Sequence, residues 1–169
     1  VNGKNQYRSV SFLVSGITDS NGFVHISGGD LTSILSTFNV SAITSISVIA
    51  DTNETGLSGT GTVTVKTLGL SLPPAPMTAT STGDLTDFGT YAIRPGKIEG
   101  TGGVITDVTQ TGTDQFQFTY ALDPAKDDQW GGAIMTFKDT KPYNLATGEL
   151  VLKVSGTDKI LISISDNTV

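Results

Sequence analysis

A chain of 169 residues with 37% hydrophobic residues is long enough for one sizeable core, and this length suits a single domain. The formal net charge of −6 and the low charged fraction of 15% exclude the clustered lysines and arginines that nucleic acid binding requires, and they disfavour anionic membranes and strongly acidic polysaccharides. Because the chain has no cysteine, it has no disulfide, thiolate metal site or cysteine nucleophile.

Hydrophobic residues alternate with polar ones along most of the chain, which predicts β-strands. Phe116, Phe118 and Tyr120, for example, share one face of a strand and are expected in the core. Turn signals rich in glycine, asparagine and aspartate separate these segments. About ten short strands of this kind indicate an all-β sandwich or barrel. The predicted strands are 8–14, 23–27, 46–50, 61–66, 91–98, 104–109, 114–120, 150–154 and 160–164.

Two segments break the alternation. Residues 31–38 have apolar side chains at helical spacing, so a short helix with Asp30 as its N-cap is predicted. Residues 73–81 are rich in proline, which blocks strand pairing and predicts an extended connector.

Three segments of the second half of the chain are distinctive: DQWGGAIMTF at 128–137, YNL at 143–145 and ELVLKVSG at 149–156. Together they resemble the first half of a family 11 carbohydrate-binding module. Residues 39–48 and 61–68 resemble the last two strands of that family. The resemblance therefore implies a two-sheet antiparallel jelly-roll sandwich that is circularly permuted.

In this interpretation residues 1–72 are the usual C-terminal half, 73–81 the connector and 82–169 the usual N-terminal half of one domain. The ends of the chain, 166–169 and 1–5, then correspond to a polar hairpin loop. Two alternatives are a junction between two jelly rolls and a partner in a domain-swapped oligomer.

The chain departs from the family at its structural calcium site. Lys66 stands where the family has an aspartate, and Gly89 stands where it has a glutamate. An ammonium group cannot ligate calcium, which takes six to eight oxygen ligands. The hypothesis is that the ion is replaced by an ion pair between Lys66 and Asp87, and no cofactor is expected.

Aromatic residues and amides are the candidate contacts for sugar rings and hydroxyls. Trp130 is either a stacking platform or a half-buried residue at the start of a strand. Gln129 and Tyr91 match cleft positions of the family; the alternatives are a solvated loop residue and a tyrosine that caps the core. Ser47 and Ala50 replace the cleft histidine and tyrosine of the family.

A second group of candidates lies around the only histidine. His25, Asp19 and Phe23 are expected to form one end of a cleft, the alternative being an isolated exposed histidine. Arg8 either clamps sugar hydroxyls or pairs with acids. Tyr143 is a further ligand candidate or an ordinary surface tyrosine.

The sequence lacks the residues of a catalytic site. One histidine, no cysteine and no Gly-x-Ser-x-Gly motif argue against a triad, and the glutamates do not form an inward pair on one strand. The predicted function is a non-catalytic module that binds a neutral cell-wall polysaccharide such as β-glucan or hemicellulose. A structural or assembly β-sandwich of an extracellular scaffold, adhesin or surface layer is the alternative.

The setting of the module follows from composition. Abundant serine, threonine, glycine and asparagine with little lysine or glutamate predict an extracellular protein, and no stretch approaches the roughly 18 apolar residues of a membrane span. The resemblance further implies attachment to a larger modular enzyme or scaffold, and a permuted single domain is expected to be a monomer.

Overall fold

The computed structural model describes residues 6–71, 86–88, 91–100, 103–111, 115–126, 128–137, 144–146 and 149–168. Within these ranges, 6–8, 67–71, 86–88, 91–95, 137 and 167–168 are described by their backbone alone. The predicted connector 73–81, Gly89 and Tyr143 lie outside the described residues, as do residues 1–5.

The strands form two antiparallel sheets, which confirms the predicted all-β sandwich. The six-stranded sheet has the order β1 (Gln6–Leu13), β11 (Leu161–Thr168), β3 (Ile43–Asp51), β9 (Trp130–Phe137), β6 (Tyr91–Glu99) and β5 (Thr86–Phe88). The five-stranded sheet has the order β2 (Val24–Ser27), β10 (Glu149–Ser155), β4 (Gly59–Ser71), β8 (Gln115–Leu122) and β7 (Thr109–Gln110). Three short helices are α1 (Val14–Ile17), α2 (Gly28–Ile34) and α3 (Thr52–Thr55).

Eight of these strands pair as a jelly roll. β1 pairs with β11, β2 with β10, β3 with β9 and β4 with β8, so the chain is a long hairpin wrapped into two sheets. Joining the two chain ends and opening the chain between β4 and β8 would give the same jelly-roll strand order. After such a change the strands of each sheet would occupy the positions that the strands of the other sheet occupy now. Gln6 lies opposite Thr168, which places the ends of β1 and β11 side by side. Circular permutation stays a prediction, since both chain orders give this arrangement.

The two halves of the chain alternate within both sheets. Strands β1 to β4 pair only with strands from β8 onward. The first half therefore depends on the second for the pairing of its strands, while the second half also pairs within itself through β5 with β6, β6 with β9 and β7 with β8.

The core lies between the sheets and is built from the inward side of each alternating strand. Phe116, Phe118 and Tyr120 are buried, as predicted. Ile162 and Ile164 are buried from the opposite sheet. Burial at every second residue confirms the period-two interpretation.

The predicted helix cap is wrong. Ser27, not Asp30, is the N-cap of α2: its hydroxyl accepts from the Asp30 N–H at 3.1 Å, while the Asp30 carboxylate accepts from the Ser27 N–H at 2.7 Å. This reciprocal capping box begins the helix at Gly28. The helix ends at Ile34, and Phe38 is buried beyond its end.

Several strand boundaries also differ from prediction; β4, for example, runs from Gly59 to Ser71 where 61–66 was expected. Segment 104–109 is strand only at its last residue, although Val104 and Ile105 are buried and Ile105 makes an isolated bridge to Tyr120. Residues 166–168, predicted as part of a loop, continue β11 and pair with β1. In the part of the chain that the structure describes, no helix is long and apolar enough to cross a membrane.

Candidate functional site

The turn between α1 and β2 is organised by one carboxylate. Asp19 Oδ1 accepts from the N–H of Asn21 at 2.8 Å and from the N–H of Phe23 at 2.9 Å. The Asp19 N–H donates to the Phe23 carbonyl at 2.8 Å. This Asx-type turn leaves the second carboxylate oxygen available to the adjoining strand.

His25 lies between two carboxylates. Val24 and Ile26 are buried, so His25 projects from the outer side of β2. Its Nε2 is 2.9 Å from Asp19 Oδ2, and its Nδ1 is 3.0 Å from Glu149 Oε1. Only the protonated imidazole donates from both nitrogens, so this geometry suits a cationic ring.

The surroundings shift both ionisation equilibria toward the charged forms. Partial burial lowers the pKa of His25, but hydrogen bonds to Glu149 and Asp19 outweigh it, and the pKa is raised above 6.5. The pKa of Asp19 is lowered below 3.8, first by the Phe23 N–H and with a contribution from His25. His25 and Asp19 therefore stabilise each other's charged forms.

A pH-dependent stability is expected from this cluster. The His25 contribution is full below pH 6.5 and is lost as pH rises through the raised folded-state pKa, while the Asp19 contribution is present above pH 3.8 and is lost as pH falls through the lowered one. Because 39% of the His25 side chain is exposed, the effect of losing its charge stays under about 1 kcal/mol.

Urea unfolding at mildly acidic and mildly alkaline pH measures this effect. The wild-type protein is expected to be more stable at the acidic value, and His25→Gln is expected to remove most of the difference. An equal difference in both proteins would contradict the assignment.

An aromatic ring and an ammonium group extend the cluster. Lys153 Nζ lies 5.6 Å from the centroid of the Phe23 ring, within the range of a cation–π contact. Lys153 also lines an open pocket of about 440 Å³ between α1, the turn and the end of β10. The other polar side chains of its lining are Ser15, Thr18, Thr157 and Asp158. We refer to Asp19, Phe23, His25, Glu149 and Lys153 as the His25 cluster.

The structure brings His25, Asp19 and Phe23 together, as expected, and their role as one end of a cleft stays a prediction. Glu149 and Lys153 are not among the site residues predicted from the sequence. Both missed residues lie on β10, whose pairing with β2 brings them close. Local sequence patterns do not encode that pairing. In the described residues no group of three histidine, aspartate or glutamate side chains is arranged to hold a metal ion.

Trp130 lies on the other sheet, and Gln129 immediately precedes it in the chain. Trp130 begins β9 and is half-buried, and its indole packs so closely on Gly100 that a Cβ there would displace the ring. Gln129 is 8% exposed, and its Oε1 accepts from the Asp123 N–H at 2.6 Å. The alternative of a solvated Gln129 is therefore wrong, and its side-chain oxygen serves an internal hydrogen bond.

The other candidates are described by backbone alone or lie outside the description. Tyr91 begins β6, and Arg8 lies in β1 opposite Asp166. Tyr91, Arg8 and Trp130 thus belong to the six-stranded sheet, while the His25 cluster borders the five-stranded one. The candidate residues do not share one sheet face.

Lys66 and Asp87, which were expected to form an ion pair in place of the family's calcium site, lie on different sheets. Lys66 is exposed on β4, opposite Lys153 and Gln115, and Asp87 lies in β5. Asp87 is described by backbone alone, so its pairing with Lys66 stays a prediction.

Comparisons of the chain with protein-family models, with curated proteins and with solved structures give no match.

Proposed function

We propose that the protein is a non-catalytic module that binds a neutral polysaccharide such as β-glucan or hemicellulose through the His25 cluster and its pocket. The supporting observation is the meeting of a cationic imidazole, two carboxylates, an ammonium group and an aromatic ring beside an open pocket of about 440 Å³. The composition supports an extracellular setting, and the resemblance to carbohydrate-binding modules supports attachment to a larger enzyme or scaffold.

The chemistry of the cluster suits sugar hydroxyls, which both donate and accept. In the cluster Glu149 is an acceptor. Lys153 joins the cluster to the pocket, where it is a donor and Asp158 is an acceptor. The Phe23 ring offers an apolar face for a sugar ring, either on the side away from Lys153 or after Lys153 is displaced. Because Asp19 fixes both the turn and His25, the arrangement is formed before a ligand arrives.

The same geometry favours binding over hydrolysis. A glycosidase needs two carboxyl groups on opposite sides of the scissile bond, with the sugar between them. In the His25 cluster the imidazole occupies the space between Asp19 and Glu149, since it contacts both at about hydrogen-bond distance. We therefore assign these carboxylates to ligand positioning.

Affinity gel electrophoresis tests the proposal with mixed-linkage β-glucan, xyloglucan, glucomannan, xylan and pectin. Retardation by one neutral polymer is expected, and Phe23→Ala is expected to raise the dissociation constant roughly tenfold, or about 1.4 kcal/mol. Ile34→Ala is the matched control, because Ile34 is an exposed apolar residue on α2. Failure of every polymer to retard the protein, or equal loss in both variants, would contradict the proposal.

A second candidate function is a structural or assembly sandwich. It is favoured by the outer face of the six-stranded sheet, where serine side chains from adjacent strands bond to one another instead of framing a cleft. This candidate predicts that His25-cluster variants leave every interaction of the protein unchanged.

A further inference from the structure

Backbone hydrogen bonds close the rim of the pocket beside Lys153. On one side the Ser15 N–H of α1 donates to the Asp158 carbonyl at 3.3 Å, which ties α1 to the segment after β10. On another side an isolated bridge joins Thr18 to Val24, the first residue of β2. β2 pairs in turn with β10, the strand that carries Lys153. The rim therefore runs without a break through α1, β2, β10 and the segment after β10.

Glycines shape two points of this rim. Gly22 has a φ of +84° in the turn before β2, and a Cβ there would lie 3.9 Å from Lys153 Cε, so the turn lies against the Lys153 side chain. Gly156 has a φ of +111° directly after β10, a conformation that favours glycine. A Cβ at Gly156 would also collide with the Thr62 carbonyl. The chain thus turns sharply at Gly156 and brings Asp158 back to α1.

Polar groups line the pocket on both the α1 side and the β10 side. Ser15 and Thr18 contribute hydroxyls from the α1 side. Thr18 Oγ1 already donates to a backbone carbonyl at 2.6 Å and keeps its lone pairs as acceptors, whereas Thr157 Oγ1 already accepts from a backbone N–H at 3.2 Å and keeps its proton as a donor. Lys153 is a further donor and Asp158 a further acceptor. A ligand in the pocket therefore meets donors and acceptors on two sides, as a ring with several hydroxyls requires.

The volume and the closed rim limit what the pocket can hold. Its volume of about 440 Å³ lies near the lower end of the range for small-molecule sites, which gives room for about one or two sugar rings. An internal stretch of a polymer enters and leaves its binding site, so it needs a groove that is open at two ends. A rim without a break leaves only the mouth that faces solvent, and a polymer can enter there only by a chain end.

We propose that this pocket binds the sugar unit at the end of a polysaccharide chain rather than an internal stretch. A terminal ring has one more free hydroxyl than an internal ring, and the polar groups on the two sides of the pocket can bond to it. The next unit lies toward Phe23, because Lys153 borders the pocket and its Nζ is 5.6 Å from the centroid of the Phe23 ring. This inference rests on the proposed function and names the part of the polysaccharide that is recognised.

Isothermal titration calorimetry tests the proposal with disaccharides and hexasaccharides prepared by partial hydrolysis of each polymer in the electrophoresis panel. For the polymer that retards the protein, we expect the dissociation constants of the two lengths to agree within about threefold, because each molecule offers one chain end of a given kind. Borohydride opens the ring at the reducing end of an oligosaccharide. Binding that survives this reduction assigns the pocket to the non-reducing end, and binding that is lost assigns it to the reducing end.

Ser15→Phe is expected to raise the dissociation constant of both lengths at least tenfold, since the new ring would fill the pocket. Ser33→Phe is the matched control, because Ser33 is also an exposed serine on a short helix, α2, but does not line the pocket. Asp158→Ala removes an acceptor from the β10 side and is the second variant if Ser15→Phe does not fold.

The outcomes separate this inference from the proposed function. A hexasaccharide that binds more than about threefold more tightly than the disaccharide would overturn the inference and leave the proposed function intact. Retardation by a polymer whose oligosaccharides do not bind would do the same. Equal effects of Ser15→Phe and Ser33→Phe, including no effect of either, would place the ligand outside the pocket. If no polymer and no oligosaccharide binds, both the inference and the proposed function are wrong.

Discussion

Gly132→Ala is expected to destabilise the fold by at least about 3 kcal/mol, which is large for a single methyl group. Gly132 lies on β9, opposite Ile49 on β3. An added Cβ would be 2.9 Å from the carbonyl carbon of Val48 and 3.0 Å from the Cα of Ile49, and its contact with the Val48 oxygen would be closer. These atoms belong to the backbone of a strand held between β11 and β9, so relief requires separating two central strands.

Gly96→Ala is the matched control for this substitution. Gly96 lies on β6, the other neighbour of β9, and its added Cβ would meet Ile134 atoms only at 3.8 and 3.9 Å. We expect its free energy of unfolding to change by less than about 0.5 kcal/mol. Urea unfolding of both variants gives the comparison, and similar losses would show that the close approach at Gly132 does not limit stability.

Asp166→Ala is expected to reduce the free energy of unfolding by about 2–4 kcal/mol. Asp166 lies in β11 and is fully buried, and its Oδ2 accepts from the Asn39 N–H at 2.5 Å. This hydrogen bond links the turn before β3 to β11, the strand with which β3 pairs. Truncation leaves the Asn39 N–H without this acceptor and also removes packed atoms.

Two further variants define the contribution of the Asp166 hydrogen bond. Asp166→Asn keeps an acceptor oxygen of similar reach, so we expect it to lose less stability than alanine. Asp107→Ala removes an exposed carboxylate from a loop and is expected to have an effect near zero. A loss of less than about 1 kcal/mol for Asp166→Ala would show that the buried carboxyl is not an anchor of the turn.

The strands were predictable because alternation is a local property of a half-buried strand. Phe116, Phe118 and Tyr120 show this directly, since their spacing alone identifies the core side of β8. Segment 104–109 was misassigned because Val104 and Ile105 are buried by packing without a regular ladder. The cap of α2 was misassigned because both Ser27 and Asp30 fit a capping position, and only the backbone geometry distinguishes them.

The candidate site was predictable only where its residues are close in sequence. Asp19, Phe23 and His25 fall within one turn and strand, so their proximity follows from local geometry. Glu149 is 124 positions from His25, and its approach depends on which strand pairs with β2. The burial of Gln129 likewise depends on Asp123 and Thr52 folding around it. Long-range pairing thus decides the remaining parts of the site.

The alternation of the two halves within both sheets has a consequence for biosynthesis. During synthesis the segments of β1 to β4 emerge from the ribosome before any strand that pairs with them. The first of those partner strands, β8, begins at Gln115. At roughly 5–20 residues per second, the emerging N-terminal half waits several seconds with unpaired strand edges. Its apolar faces are a substrate for chaperones during that interval, and slowing translation between β4 and β8 is expected to increase aggregation rather than aid folding.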